Sequence, residues 1–354
     1  SLLWSLQDVL VKSISNILST MVIDIDGDGA DEVICLAAVD YGYPPSPLVF
    51  SNQDVQLWLF VASGKTGKLR WSHPLSPAYG IQGNSTPPLQ FSDMFLDLAC
   101  ADLNADGFKD ILVPAVNPDD SLETRAVSGK DGKVLWSRAR QDDGLSRQSL
   151  ENWTPPGFCD FDGDGRPEVI LIEPHRGTTS GSVHRVDVGV ALLDADGQEL
   201  WVKSTGSVFT HFNSFSQRKG ELLRPIAIQT KSQENVEETK THCFVLVLPS
   251  DSRIIAFDAD GQTRERKLAN DGFSNLDKLY SLDVDGDRRE ELFFVERSEL
   301  VAIRADNFDE MLWKRPLSNR GPHRILKVID GNDGMPPLVV VLTDPTHNVV
   351  MSFG

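Results

Sequence analysis

Short apolar runs alternate with polar turns along this chain, and the spacing of an amphipathic helix is nearly absent. Runs of this length and alternation, bounded by Gly, Asp and Asn, are typical of β-strands. One stretch, Leu10–Leu18, has a spacing compatible with a helix. The pattern otherwise predicts an all-β protein.

An acidic motif precedes one of the apolar runs in each of several repeats. It reads DIDGDGADEV from Asp24, DLNADGFKDILV from Asp102, DFDGDGRPEVIL from Asp160 and DVDGDRREELFF from Asp283, and a weaker echo begins at Val328. Fixed repeats of a short unit indicate a repeat architecture. The third and fourth copies lie about two periods apart, so a copy without acids is expected in RPIAIQT and HCFVLVLP, residues 224–249.

A second pattern follows each copy of the first. It is an apolar run, a Gly or Asp turn and another run, as in WLFVASGKTGKLRW (58–71) and VALLDADGQELW (190–201), which is a hairpin signal. Four of the five hairpins end in a tryptophan: Trp71, Trp136, Trp201 and Trp313. We expect these side chains to pack between neighbouring repeats rather than to stack on a cofactor.

Each repeat therefore contains four short strands, which is typical of a β-propeller blade. The sequence predicts an all-β, six-bladed β-propeller, or seven blades if 205–224 hides another. The closing blade is split: 348–354 supplies its third strand and 1–8 its fourth, with Trp4 in the tryptophan position. We predict one domain over 1–354, with blades near 20–75, 95–138, 157–204, 222–268, 279–317 and 325–354 plus 1–8.

The charge of the chain narrows its partners. A formal net charge of −18 over 354 residues argues against binding to nucleic acid or anionic membrane, which both require basic patches. No apolar run is long enough to span a bilayer, and the start does not resemble a signal peptide. The four cysteines are widely separated and form no CxxC motif, which argues against a cysteine zinc site. Each lies in or beside an apolar run, which favours buried free thiols over disulfides. We expect a monomer that is part of a larger chain.

The acidic motifs have the ligand spacing of a calcium loop. Side-chain oxygens at positions 1, 3, 5 and 9 and a carbonyl at position 7 suit a hard cation with six to eight oxygen ligands, and glycine at position 6 permits a positive φ. The predicted ligands are Asp24, Asp26, Asp28, Ala30 and Glu32; Asp102, Asn104, Asp106, Phe108 and Asp110; Asp160, Asp162, Asp164, Arg166 and Glu168; and Asp283, Asp285, Asp287, Arg289 and Glu291.

We predict three strong Ca²⁺ sites and one weaker site. The weaker one is the last, where Arg288 replaces the glycine. The echo with Asp330 and Asn332 has Leu338 at position 9 and is not counted. An EF-hand needs a glutamate at position 12, whereas position 12 here is apolar in all four motifs, so that alternative is excluded.

These loops resemble the FG-GAP and VCBS repeats, the calcium-binding propeller blades of integrin α-subunits and of many secreted bacterial proteins. The hairpins SGKTGKLRW and SGKDGKVLW are similar to the Trp-ended repeats of quinoprotein propellers. The chain departs from these families in the fourth repeat, which lacks loop ligands, and in the FG-GAP dipeptides, which are hard to find. The resemblance implies a calcium-binding propeller and covers nearly the whole chain.

No catalytic residue is predicted, because the usual hydrolase, metalloprotease and nucleotide-binding motifs are absent. Function concentrates on loops held by a rigid scaffold, and the longest are 40–54, 72–91, 141–157, 173–185 and 205–220. The candidate ligand-binding residues are Tyr41, Tyr43, Tyr79, Trp153, Phe209, His211, Phe212 and Phe215. The alternative that these aromatic side chains plug the central funnel stays open.

Taken together, the sequence predicts a calcium-stabilised, non-catalytic binding module for a protein or glycan ligand. Loops of this kind often need more calcium than the cytosol contains, which favours an extracellular, periplasmic or cell-surface location and a role such as cell adhesion. The alternative is a propeller enzyme acting on polysaccharide or alcohol substrates, of the lyase or quinone-dependent dehydrogenase type.

Overall fold

The computed structural model describes most of the repeated strands and turns. It describes residues 13–40, 55–76, 98–117, 121–139, 155–180, 183–210, 225–231, 239–248, 253–268, 279–283, 287, 289–296, 299–317, 324–329, 338–344 and 347–352. All regular elements in these ranges are β-strands. None of these residues forms a helix that could cross a membrane.

The strands form six antiparallel sheets, which we call blades 1 to 6. Blade 1 contains β1 (Ser13–Ile23), β2 (Glu32–Asp40), β3 (Val55–Ser63) and β4 (Leu69–Pro74). Blade 2 contains β5 (Ala99–Ala101), β6 (Asp110–Val116), β7 (Leu122–Val127) and β8 (Val134–Ala139). Blade 3 contains β9 (Gly157–Cys159), β10 (Glu168–Ser180), β11 (Val183–Leu193) and β12 (Glu199–Thr210).

The remaining blades follow in the same order. Blade 4 contains β13 (Ile226–Lys231), β14 (Thr239–Leu248), β15 (Arg253–Phe257) and β16 (Thr263–Lys267). Blade 5 contains β17 (Tyr280–Leu282), β18 (Glu291–Glu296), β19 (Glu299–Arg304) and β20 (Met311–Pro316). Blade 6 has three described strands, β21 (Arg324–Ile329), β22 (Leu338–Asp344) and β23 (His347–Ser352). In every blade, strands adjacent in sequence are paired.

The burial of each strand follows from its place in the blade. Strand β6 is buried at every residue, as expected for a middle strand covered on both faces by neighbouring blades. The outermost strand β4 instead alternates between partly buried and exposed residues. The core lies between blades: one cluster joins Ile34 and Leu57 of blade 1 to Ile111 and Val113 of blade 2.

Tryptophan side chains connect blades 1, 2 and 3 to the blade that follows, as predicted for Trp71, Trp136 and Trp201. Trp71 Nε1 donates to the Gly129 carbonyl of blade 2 at 2.8 Å, and its ring covers Gly132, where an added Cβ would lie 2.7 Å from the indole. Trp136 and Trp201 make the same bonds to the next blades, to Ala195 at 3.0 Å and to Ala259 at 2.8 Å. The glycine in the turn is therefore the surface on which the neighbouring tryptophan packs.

Blade 4 lacks the tryptophan and replaces it with arginine. In blades 1, 2, 3 and 5 the pairing of the last two strands slips by one residue just before the tryptophan, whereas β15 and β16 pair without a slip. Arg264, opposite Ala256, donates to the Asp306 carbonyl of blade 5. Arg266 donates to the Phe308 carbonyl at 2.7 Å. A guanidinium thus makes the inter-blade contact that indoles make elsewhere.

The predicted all-β propeller is confirmed, and blade 4 lies where the copy without acids was expected. The helix considered at Leu10–Leu18 is wrong, because β1 begins at Ser13. The closing strand 1–8 with Trp4 lies outside the described residues, so the split blade and the single-domain boundaries stay predictions.

Two segments predicted as loops are strands in part. β10 and β11 remain paired from Val169–Leu193 out to Ser180–Val183, and β12 follows β11 out to Thr210. The sequences 173–185 and 205–210 contain Gly, Ser and Thr, which look like loop residues, but continued backbone pairing carries them on as a ribbon. Pairing with a neighbouring strand outweighs their weak intrinsic preference.

Candidate metal centre

Four acidic loops join the first and second strands of blades 1, 2, 3 and 5, as predicted. We call them loop 1 (24–32), loop 2 (102–110), loop 3 (160–168) and loop 5 (283–291). Neighbouring loops touch around the ring. Lys109 N of loop 2 donates to Ile25 O of loop 1 at 2.9 Å, and Arg166 Nε of loop 3 donates to Leu103 O of loop 2 at 2.8 Å.

The glycine at position 6 folds each of the first three loops inward. Gly29, Gly107 and Gly165 have φ values of +80°, +84° and +84°, in the region that favours glycine. Their amides donate to the carboxylate at position 1, at 2.9, 2.9 and 3.1 Å respectively. The loop backbone therefore holds the first aspartate in place before any ion binds.

The inward fold brings carboxylates together in loops 1 and 3. Asp24, Asp26 and Asp28 each have an oxygen within 4.8 Å of the others, and so do Asp160, Asp162 and Asp164. Oxygens bound to one Ca²⁺ at about 2.3–2.6 Å lie at most about 5 Å apart. Both clusters can therefore hold a metal ion. In loop 2 the third-position ligand is the neutral amide of Asn104, whose Oδ1 accepts from Asp106 N at 3.0 Å.

The acid at position 9 is buried and binds the loop backbone. Glu32 Oε2 accepts from Ile25 N at 3.1 Å, Asp110 Oδ2 accepts from Leu103 N at 3.0 Å, and Glu168 Oε2 accepts from Phe161 N at 2.7 Å. Burial raises the pKa of Asp110 to about 6 and also raises the pKa of Glu168. A nearby cation would favour the charged form of both groups.

Position 7 is predicted to supply a carbonyl ligand, and its backbone amide donates a hydrogen bond to the aspartate at position 5. Ala30 N donates to Asp28 Oδ1 at 2.8 Å, and Arg166 N donates to Asp164 Oδ1 at 2.7 Å. The Arg166 side chain points away from its own loop, because its guanidinium binds Asp196 at 2.5 Å. The basic residue inside the motif therefore leaves loop 3 open to a cation.

The loops differ in how much positive charge already faces them. In loop 1, Arg70 lies 2.9 Å from Asp26 and 3.2 Å from Glu32, and Lys65 lies 2.9 Å from Asp28. One buried oxygen, Asp24 Oδ1, has no hydrogen-bond partner, which leaves it available to a cation.

In the part of the chain that the structure describes, the acids of loops 2 and 3 have fewer basic side chains close to them than the acids of loop 1. In loop 2, Lys130 is 3.5 Å from Asp106. In loop 3, no salt bridge within the described ranges involves Asp160, Asp162 or Asp164. Among the described loops, loop 3 therefore has the least compensated cluster, and like charges this close repel one another.

Loop 5 is bound by an arginine of β19 that sequence spacing did not reveal. Arg304, at the end of β19, lies opposite Glu291 in the strand pairing. Its guanidinium is 2.6 Å from Glu291 Oε1 and 2.8 Å from Asp287 Oδ2. Arg289 binds Asp306 instead, with Nε 3.0 Å from Oδ2. Asp285 and Arg288 lie outside the described residues. The pairing register, rather than the motif, would have been the signal for Arg304.

The predicted ligand-binding residues are not brought together by any described contact. Phe209 lies on β12, paired with Val186, and its side chain is not described. The other seven, Tyr41, Tyr43, Tyr79, Trp153, His211, Phe212 and Phe215, lie outside the described residues.

Comparison with known proteins supports the fold. No protein-family model matches the chain, and no curated protein matches it. The solved structure of rhamnogalacturonan lyase YesW is similar with a TM-score of 0.55 and 14% identity, over 95% of this chain and 58% of the lyase. The exotype rhamnogalacturonan lyase YesX is similar with a TM-score of 0.50 and 15% identity, over 98% of this chain and 58% of the lyase.

The similarity is structural rather than functional at these identities. This chain spans 58% of the length of either lyase. A quinohemoprotein alcohol dehydrogenase from Comamonas testosteroni matches with a TM-score of 0.43, 14% identity, 91% of this chain and 45% of that chain, which is too distant to support an argument. The likeness to the two lyases agrees with a propeller fold and leaves function to the site itself.

Proposed function

We propose that this chain is a calcium-stabilised propeller module of the FG-GAP/VCBS kind, which binds a protein or glycan ligand outside the cytoplasm. One observation carries the proposal: loop 3 gathers three aspartate oxygens within 4.8 Å and has no salt bridge to them in the described ranges. Such a cluster is unfavourable without a cation.

Calcium suits these loops better than other metals. The candidate ligands are carboxylates, an amide oxygen and carbonyls, which are hard oxygen donors. Magnesium keeps several waters and uses few protein ligands, whereas the sequence motif of each of loops 1 to 3 contains four residues with side-chain oxygens and one carbonyl donor. A bound Ca²⁺ would neutralise the carboxylates and supply positive charge at the start of the blade.

The role of the ion in this proposal is structural. Asp24, Asp102 and Asp160 stand at the end of the first strand, and Glu32, Asp110 and Glu168 stand at the start of the second. An ion held by both ends clamps the two strands at that end of the blade. Because the loops also touch one another, the clamp in one blade supports the next.

The ligand-binding part of the proposal uses the loops at the opposite ends of the strands. Propeller loops on a rigid scaffold are common binding surfaces, and the aromatic and amide-rich composition of 40–54 and 72–91 suits peptide or glycan contacts. Because two neighbours in fold are named as rhamnogalacturonan lyases, rhamnogalacturonan is the first glycan to test. A polysaccharide lyase is accordingly the second candidate function.

Two measurements test the proposal on the full chain. Calorimetric titration of the chelator-treated protein should show three bound Ca²⁺ ions per chain, and zero or one would contradict the metal part. A peptide and glycan array containing rhamnogalacturonan, probed with and without chelator, should show binding that calcium supports. Formation of an unsaturated sugar product would instead favour the lyase.

A further inference from the structure

Blade 5 keeps the acids of the calcium motif but places a basic side chain among them. Arg304 reaches Asp287 at position 5 and Glu291 at position 9, at 2.8 and 2.6 Å. The Glu291 side chain is fully buried and that of Arg304 is 9% exposed. Burying an unpaired carboxylate is costly, and the guanidinium offsets this cost with two nitrogens directed at two different acids.

The backbone around Arg304 fixes this arrangement. Arg304 lies directly opposite Glu291 in the β18–β19 ladder. Its amide donates to Glu310 O at 3.1 Å, and the next amide, of Ala305, donates to Glu290 O at 3.1 Å. The arginine is therefore held on both sides by main-chain bonds. Its head group cannot leave the acids without abandoning the buried carboxylate of Glu291.

Blade 1 contains an arginine, Arg70, that an incoming metal ion could displace from the acids of its loop. Arg70 also bridges two acids of its loop, Asp26 and Glu32, but at 2.9 and 3.2 Å and with 25% of its side chain exposed. It comes from the outermost strand β4, so it can turn into solvent when an ion binds. The residue opposite Glu32 in the strand ladder is Ser63, the position that Arg304 holds in blade 5.

We propose that the Arg304 guanidinium takes the place of the divalent cation in blade 5. The acids between β17 and β18 are then held by this side chain, without calcium. This inference rests on the proposed calcium function of loops 1 to 3. The glycine of position 6 is Arg288 in this loop, which agrees with a loop that no longer has to wrap around an ion. Calcium dependence is then confined to blades 1, 2 and 3.

The test compares one position in two loops of the full chain. Asp164→Asn in loop 3 and Asp287→Asn in loop 5 both alter position 5, and CaCl₂ is titrated calorimetrically into each chelator-treated protein. Asp164→Asn should weaken one of the three ions by about tenfold or more, because ligand charge sets affinity. Asp287→Asn should leave the ion count and the affinities of the wild-type protein unchanged.

A gain-of-site variant completes the test. Arg288→Gly together with Arg304→Ser restores the loop glycine and the serine of blade 1, and should add one ion to the wild-type count. Loss of an ion in Asp287→Asn, or no gain in the double variant, would overturn the arginine proposal while leaving loops 1 to 3 as calcium sites. Absence of any ion from the wild-type protein would overturn the proposed function and this inference with it.

Discussion

Loops 3 and 5 have the same acids at positions 1, 3, 5 and 9 but opposite electrostatic surroundings. In loop 3 the nearby arginine, Arg166, binds Asp196 and leaves the three aspartates without a salt bridge in the described ranges. In loop 5 the buried Arg304 binds two of the acids. The two loops therefore share their acid spacing, and in our proposal the residue opposite position 9 decides whether a loop binds a metal ion or an arginine.

The largest expected effect is a loss of stability on removal of calcium, which should affect loop 3 but not loop 5. At a hundredfold excess over Kd each ion stabilises the folded state by roughly 2.7 kcal/mol, so three ions would contribute roughly 8 kcal/mol of a stability that is typically about 5–15 kcal/mol. Chelation should lower the melting temperature on the order of 10 °C or more. Hydrogen exchange should then rise in β9 and β10 but not in β17 and β18.

That experiment has a clear contrary result. If chelator leaves the melting curve in place, the ions are not structural and the enzyme hypothesis gains. If exchange rises equally in blades 3 and 5, the difference between the two loops is not one of calcium dependence. A chelator presaturated with calcium is the control for direct effects of the reagent.

The next largest effect is expected from loss of Arg304, the β19 side chain that binds the acids of loop 5. Arg304→Ser removes the partner of a fully buried carboxylate, Glu291, and breaking a buried ion pair typically costs about 3–5 kcal/mol. The destabilisation, measured by urea unfolding, should be the same in calcium and in chelator. Arg70→Ser is the matched control, since Arg70 is more exposed, and should cost about 1 kcal/mol or less.

A smaller and conditional effect is expected in loop 3. Asp164→Asn should lose about 2.7 kcal/mol of stability in saturating calcium if it abolishes binding of one ion, and much less in chelator, where no ion is present to lose. Asp287→Asn should give equal losses in the two conditions. Unfolding curves of both variants, recorded with and without chelator, check this crossed pattern, and a calcium-dependent loss in Asp287→Asn would contradict it.

The smallest effect concerns the thiol beside loop 3. Cys159 is buried directly before Asp160; burial raises its thiol pKa, and the carboxylates of Glu168 and Asp160 raise it further. A thiol with a raised pKa reacts slowly because little thiolate forms. Reaction with a chromogenic disulfide at pH about 8 should be slow in calcium, where the thiol is buried, and faster in chelator because loss of the ion opens the loop. Burial is the larger cause of the raised pKa, so this exposure should outweigh the opposite effect of removing a cation from the nearby carboxylates; Cys159→Ser identifies the signal. An unchanged rate would show that chelation leaves blade 3 closed.

Much of the fold could be predicted because it depends on local sequence patterns. The four-strand repeat, the turn glycines and the acid loops each involve residues close in sequence, so spacing alone locates them. The glycine at position 6 was expected to have a positive φ, and Gly29, Gly107 and Gly165 do. Even the copy without acids in blade 4 could be located from the length of the gap.

The features that were missed depend on strand pairing. Arg304 lies 13 residues from Glu291 along the chain, and only the ladder brings the two together. Arg264 makes the contact of a tryptophan although its side chain is chemically different. The ribbon formed by β10, β11 and β12 continues through residues that look like loop sequence, because pairing supplies the order that side chains do not.

The contacts between blades also place tryptophan side chains where their fluorescence can report on blade packing. Three successive interfaces, from blade 1 to blade 4, each contain an indole that donates to a carbonyl of the next blade. The interface between blades 4 and 5 contains the guanidinium of Arg264 in that place, which does not fluoresce. Trp71, Trp136 and Trp201, three of the seven tryptophans of the chain, are therefore placed where their emission responds to separation of blades 1 to 4, the part in which all three proposed calcium loops lie.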